Sequence, residues 1–213
     1  MKNRFITLEG IEGSGKSTQM QLTQEFLEQH GCRVVRTREP GGTELSEKIR
    51  DLLLTNELQT MHEDTELLLM FAARVEHVQK VIRPALEKGL WVLSDRFYDA
   101  TYAYQGYGRN IDIQKIDQLR KFSLSELSPD KTFLLDIGLS TSLERVTQRG
   151  EKDRFEKEKV DFYTKVRQGY LNLAEQHPQR ICRIDAEQAI TDVQSDIQKQ
   201  LLNLFDDDYD ASS

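Results

Sequence analysis

The string Gly10-Ile11-Glu12-Gly13-Ser14-Gly15-Lys16-Ser17 is the densest piece of potential chemistry in the chain. It matches G-x-x-x-x-G-K-[ST], a spacing that has a physical reason. The glycines let the backbone curl until successive N–H groups converge on phosphate oxygens, and the helix that follows adds its positive end. Lys16 would supply a point charge to the β and γ phosphates, and the Ser17 hydroxyl suits Mg2+. The segment therefore predicts a bound nucleoside triphosphate.

Two classes of protein share such a loop. A GTPase-type switch needs N-K-x-D to read its base and D-x-x-G after a strand, and neither string occurs. A small-molecule kinase needs a second anionic site and arginines that screen two approaching phosphates. Arg38-Glu39-Pro40-Gly41-Gly42-Thr43 and Asp95-Arg96 both follow apolar runs, and Arg50 could turn back toward the same cleft. Asp95 after such a run resembles the acid that holds the metal in other P-loop enzymes. Arg149 and Arg154 lie in a charged segment with Gly150 as a hinge. A lid at about 147–158 could bring them to the transferring phosphoryl group and exclude water, although a solvated connection between helices reads equally well there.

These residues must be held by elements, and the apolar pattern supplies them. Short apolar runs at 5–8, 34–37, 90–94, 132–137 and 181–184 read as strands. Helical patterns follow at 44–54, 65–88 (with a kink expected at Pro84), 113–126, 141–149, 161–176 and 189–205, besides the one after the glycine loop. Strand and helix in alternation predict an α/β fold: a five-stranded parallel sheet with helices on both faces and a mobile lid. Such sheets bind ligands beyond the carboxyl ends of their strands, where Lys16, Arg38, Asp95 and Arg96 are expected. Residues 1–205 are read as one domain, and 206–213 as an acidic, frayed tail.

Composition narrows the partners. The 213 residues carry a net charge of -7, which disfavours coating nucleic acid, a task that needs a basic face. Two cysteines, Cys32 and Cys182, are too few for a disulfide framework or zinc site. No run approaches the length of a membrane span, and the first strand begins almost at Met1, leaving no room for a leader. The expectation is a cytoplasmic protein with no membrane partner.

Taken together, five segments resemble the thymidylate kinases closely, from about residue 4 to residue 204. They are the loop from Leu8 to Thr18, Arg38-Glu39-Pro40-Gly41-Gly42-Thr43, Phe71-Ala72-Ala73-Arg74, Ser94-Asp95-Arg96-Phe97, and Ala103-Tyr104-Gln105-Gly106. The loop alone serves many functions; the ordered set is specific. The resemblance implies phosphorylation of dTMP to dTDP by ATP with Mg2+. It implies an ATP cradle through Thr18, and metal contacts from Ser17 with Glu9 and Asp95 around the ion and its waters. On the acceptor side it implies Phe71 stacked on thymine, Arg74 at O4, and Gln105 with Thr101 on the N3 side. Tyr104 would lie against the deoxyribose, Arg38, Arg50 and Arg96 would hold the monophosphate, and Glu9 and Glu39 would belong to the same dTMP site. Catalysis would fall to Lys16, Arg96, Asp95 and the lid residues Arg149 and Arg154. Acidic Glu12 within the loop, with arginines in the lid, resembles the bacterial type. Phe97 and Tyr107 depart from residues common at those positions. A homodimer built on the apolar helix region 65–88 is also implied.

A nucleoside kinase remains an alternative within enzymes, but three monophosphate-directed arginines would be superfluous there. A nucleotide-gated binding protein is the alternative outside them.

Overall fold

Burial separates inner strands from edge strands. In this computed structural model, which describes residues 3–54, 61–148 and 157–210, β1 (Phe5–Glu9) is buried throughout. So is nearly all of β3 (Trp91–Asp95) and β4 (Lys131–Asp136). Each has a near-continuous apolar run, which suits a strand covered on both faces. β2 (Val34–Arg38) and β5 (Ile181–Asp185) are partly exposed and form the edges of a five-stranded sheet ordered β2-β3-β1-β4-β5. Every pairing is parallel. The chain builds the β3 and β2 side first and then crosses to β4 and β5. The switch in direction lies at β1, whose carboxyl end carries the glycine loop.

The long helical pattern at 65–88 is broken, as Pro84 predicts, but in an unexpected way. α3 (Glu63–His77) passes through a π-helical turn at Val78–Ile82 into α4 (Arg83–Glu87), with Pro84 in its first turn. Proline lacks an N–H and crowds the carbonyl four residues earlier, and the wider turn relieves both problems without ending the helix. α2 (Glu44–Leu54) packs beside α3.

Tyr104 and Gln105 lie on a helical segment. α5 (Tyr98–Thr101) continues into a π-helical segment at Tyr102–Gly108, and both side chains project from it. This segment packs more extensively on α8 (Lys157–Gln176) than any other pair of elements. Close approach depends on two glycines: a Cβ on Gly108 would come within 2.5 Å of the Phe162 ring, and one on Gly169 within 2.8 Å of Tyr107. Bulky Tyr107 is thus seated on a residue with no side chain. Phe97, the other departure, is fully buried edge-on to Phe5 with ring centroids 4.9 Å apart.

The remaining helices are α1 (Lys16–Gln29), α6 (Ile113–Leu124), α7 (Leu139–Gln148) and α9 (Ile190–Asp210). α9 runs through the acidic residues expected to fray. Of the expected lid, residues 149–156, and with them Arg149 and Arg154, lie outside the described residues.

Candidate active site

The glycine loop is pressed between strand and helix, which explains its composition. A Cβ at Gly10 would meet the Leu135 carbonyl at 2.6 Å, and one at Gly13 the Ser142 carbonyl at 2.8 Å. Ser142 Oγ donates to the Glu12 carbonyl at 2.7 Å, tying α7 to the loop. Lys16 folds back over it, with Nζ donating to Gly10 O at 3.0 Å and Ile11 O at 3.1 Å. Burial, reinforced by the Arg96 charge, depresses the Lys16 pKa to about 8, although Asp95, Glu12 and Glu9 pull the other way. Ser17 is exposed on the first turn of α1.

One cleft, of about 570 Å3, opens on the outer side of this loop. It is lined by Gly13, Ser14, Gly15, Thr18 and Gln19, with Arg145 from α7, Ala186 and Gln188 from the β5–α9 connection and Ile190 at the start of α9. Ser14 Oγ is buried there without a partner among the described residues. Sequence reading missed Arg145 and Gln188. Arg145 Nη1 donates to Ala186 O at 3.2 Å, so its guanidinium forms the wall of the cleft.

A second cleft of about 660 Å3 lies on the inner side. Its walls include Glu12, Pro40, Glu66, Met70, Arg96, Tyr104, Gln105 and Arg109. Arg96 is the residue directly after β3 and takes a positive φ of 69°, an uncommon conformation for a residue with a side chain. Its Nη2 donates to Glu12 Oε1 at 3.1 Å and to Tyr104 OH at 3.0 Å, while the tyrosine hydroxyl donates to Glu12 Oε2 at 2.9 Å. Burial would raise the Glu12 pKa, but the charges of Arg96 and Lys16 outweigh it and keep the carboxylate ionised. Arg50 is half-buried and donates to Pro40 O at 2.8 Å. Its pKa is lowered by burial first and then by the Arg38 and Arg96 charges, so the three guanidiniums are near enough to repel one another. Arg38 is the most open of them and pairs with Glu47 at 2.9 Å.

Other expected residues lie behind this cleft. Phe71, Arg74 and Thr101 are buried, with the Arg74 guanidinium 5.0 Å from the Phe71 ring centroid. Glu39 is also buried and accepts from Arg74 Nε at 2.6 Å; its other oxygen is 2.9 Å from His77 Nδ1. His77 Nε2 in turn meets Thr37 Oγ1 at 2.6 Å. Glu39 therefore grips Arg74 rather than facing open space. Three polar atoms of this region, Arg74 Nη1, Thr101 Oγ1 and Gln105 Oε1, are buried without partners among the described residues.

Glu9 and Asp95 differ despite their matching strand ends. Glu9 is fully buried, and its oxygens accept from Phe97 N–H and Tyr170 OH, each at 2.7 Å. Burial, then the nearby Asp99 charge, pushes its pKa up to about 8. Both of its oxygens are occupied by protein donors. Asp95 instead has a buried Oδ1 with no partner among the described residues, and its charge acts on Lys16. Among the described residues, no three His, Cys, Asp or Glu side chains cluster as a metal cage.

Comparison with known proteins places this arrangement. A sequence profile described as thymidylate kinase matches residues 8–197. A thymidylate kinase of Ruthia magnifica is 52% identical over 189 residues, covering 89% of this chain and 92% of the relative. One of Nitrosospira multiformis is 47% identical over 205 residues, covering 96% of this chain and all of the relative. The crystal structure of thymidylate kinase from Ehrlichia chaffeensis superposes with a TM-score of 0.78 at 38% identity, covering 95% of this chain and 99% of that one.

Proposed function

The chain belongs to the thymidylate kinase family and phosphorylates dTMP to dTDP, and on that premise we propose which residues do the work. The observation that carries the assignment is that the two clefts adjoin at the glycine loop. The outer one is lined by Gly13 to Gly15, and the inner one by Glu12 and Arg96. A donor in the first and an acceptor in the second meet end to end over Lys16.

ATP takes the outer cleft, with residues 10–18 around its phosphates and its base against Arg145. dTMP takes the inner one, its phosphate held by Arg38, Arg50 and Arg96 and its sugar beside Tyr104. Thymine lies by Phe71, and its polar edge satisfies Arg74 Nη1, Thr101 Oγ1 and Gln105 Oε1, the atoms that otherwise stay unpaired. Glu39 orients Arg74, and Glu9 acts through Phe97 and Tyr170 instead of touching the metal. Mg2+ fits Ser17 directly and Asp95 through water; when bound it neutralises charge on the phosphates.

Transfer is direct and in line. A phosphate monoester is mostly dianionic near neutrality, its second pKa being about 6, so the acceptor oxygen needs no general base. Lys16, Arg96 and the lid residues Arg149 and Arg154 offset the charge shared by the two phosphates as they approach. The enzyme works in the cytoplasm; no helix among the described residues is long and apolar enough to cross a membrane.

It works as a homodimer joined through the 65–88 region and α6. Leu68 on α3 and Phe122 on α6 are 56% and 86% exposed and line one shallow apolar depression. Exposed apolar groups of that size are what an interface covers.

Substitution of Arg96 tests the assignment. Arg96→Ala should lower kcat/KM for dTMP by at least about a hundredfold, in line with loss of a charge-assisted contact made to the reacting phosphate. A variant whose dTMP kinetics are unchanged places the acceptor elsewhere. Arg149→Ala and Arg154→Ala test the lid in the same assay: wild-type kcat in both would remove them from the chemistry.

A further inference from the structure

An amide beside a carboxylate has one favourable orientation. Gln105 Nε2 donates to Glu66 Oε1 at 2.8 Å, and an ionised carboxylate can only accept. The other oxygen of Glu66 lies 3.6 Å from Arg109 Nη2, whose guanidinium is 4.8 Å from the Phe162 ring centroid, so the carboxylate is itself held. Gln105 is 6% exposed, and its Oε1 has no partner among the described residues. Glu66, Gln105 and Arg109 all line the inner cleft.

We propose that Glu66 is a specificity-determining positioning residue, which fixes the Gln105 amide with its oxygen available to the base and so selects pyrimidines that carry a hydrogen on N3. The inference rests on reading this cleft as the dTMP site. Thymine and uracil bear an N3–H that Gln105 Oε1 can accept. Cytosine and pyrimidin-2-one present a bare N3 lone pair, and two acceptors would then face each other. Turning the amide over would cure that contact but would set Oε1 against the Glu66 carboxylate, losing a charge-assisted bond and adding repulsion. Either way the bare-N3 base is penalised. Glu66 acts through Gln105, and without it glutamine, which is both donor and acceptor, could serve either base.

The test compares two substrates with uncharged bases, dUMP and the 5′-monophosphate of pyrimidin-2-one deoxyriboside, which has a bare N3 and no group at C4. The readout is the ratio of their kcat/KM values, in which general damage to the enzyme cancels. Glu66→Gln lets both amides turn over together, and Glu66→Met removes the acceptor altogether. Each should reduce the wild-type preference for dUMP by about tenfold, the worth of roughly one hydrogen bond at tenfold per 1.4 kcal/mol. Gln105→Ala should reduce it as well. If Gln105→Ala lowers the ratio and neither Glu66 variant does, Glu66 does not set the amide and the proposal is overturned while the site reading stands. If Gln105→Ala leaves the ratio unchanged, Gln105 does not read N3, and the site reading and the proposal fall together.

Discussion

Arg96 Nη2 donates to Glu12 Oε1 at 3.1 Å, joining the end of β3 to the middle of the phosphate loop. Tyr104 closes the cluster by bonding both residues. On the proposed assignment, the acidic position of the loop aims the acceptor-side arginine, and donor and acceptor sites share a wall.

Glu12→Ala should consequently harm the acceptor more than the donor. Removing one partner of a hydrogen-bonded charge pair leaves Arg96 unaimed, and kcat/KM for dTMP should fall by about 10- to 100-fold, or roughly 1.4–3 kcal/mol. KM for ATP should move by less than about threefold. A loss confined to ATP would show that Glu12 serves the donor side instead.

Lys16 predicts a pH effect with a definite sign. Its pKa in the free protein is about 8, because burial and the Arg96 charge disfavour the ammonium form. Phosphate binding favours that form. As pH rises through about 8, kcat/KM for ATP should fall, whereas kcat at saturating ATP should hold to higher pH. Parallel decline of both would place the titrating group elsewhere. Lys16→Ala should cost several orders of magnitude in kcat.

Glu9 predicts a stability effect. Its folded pKa of about 8 exceeds the ordinary value of 4.5, so between them the native state holds a proton that the unfolded chain has released. The associated stability is present below about 4.5 and lost as pH rises through about 8. Glu9→Gln keeps an acceptor for Phe97 N–H and cannot ionise. In thermal unfolding it should match the wild type at acid pH and exceed it by a few kcal/mol above about pH 8. A constant difference across pH would refute the shifted carboxyl.

The dimer is tested at one side chain. Phe122→Asp puts a charge into the exposed apolar depression, where pairing would strip it of water. The wild type should sediment at twice the chain mass at micromolar concentration and the variant at the chain mass. A monomeric wild type removes the proposal.

The sheet was readable because buried parallel strands leave continuous apolar runs, and the phosphate loop because its chemistry is local in sequence. The strand-end logic also located Arg38, Asp95 and Arg96, since a parallel sheet puts all its carboxyl ends on one edge. It could not say which way a strand-end carboxylate turns. Glu9 meets Tyr170, 161 positions away, on a helix whose approach to Tyr104 depends on Gly108 and Gly169. Nothing local in the sequence marks that contact. The π-helical segment was hidden for another reason: Gln105-Gly106-Tyr107-Gly108 has the composition of a loop, and only packing on α8 winds it. Arg145 and Gln188 carried no signal because they reach the outer cleft from α7 and from a connection far along the chain.

The most direct measurement of the account is ADP release from ATP with dTMP, thymidine, dCMP or no acceptor. Rapid release is predicted with dTMP alone, because three arginines await a phosphate and Arg74 opposes the amine of cytosine. Turnover of thymidine or dCMP at rates comparable to dTMP would contradict the acceptor site drawn here.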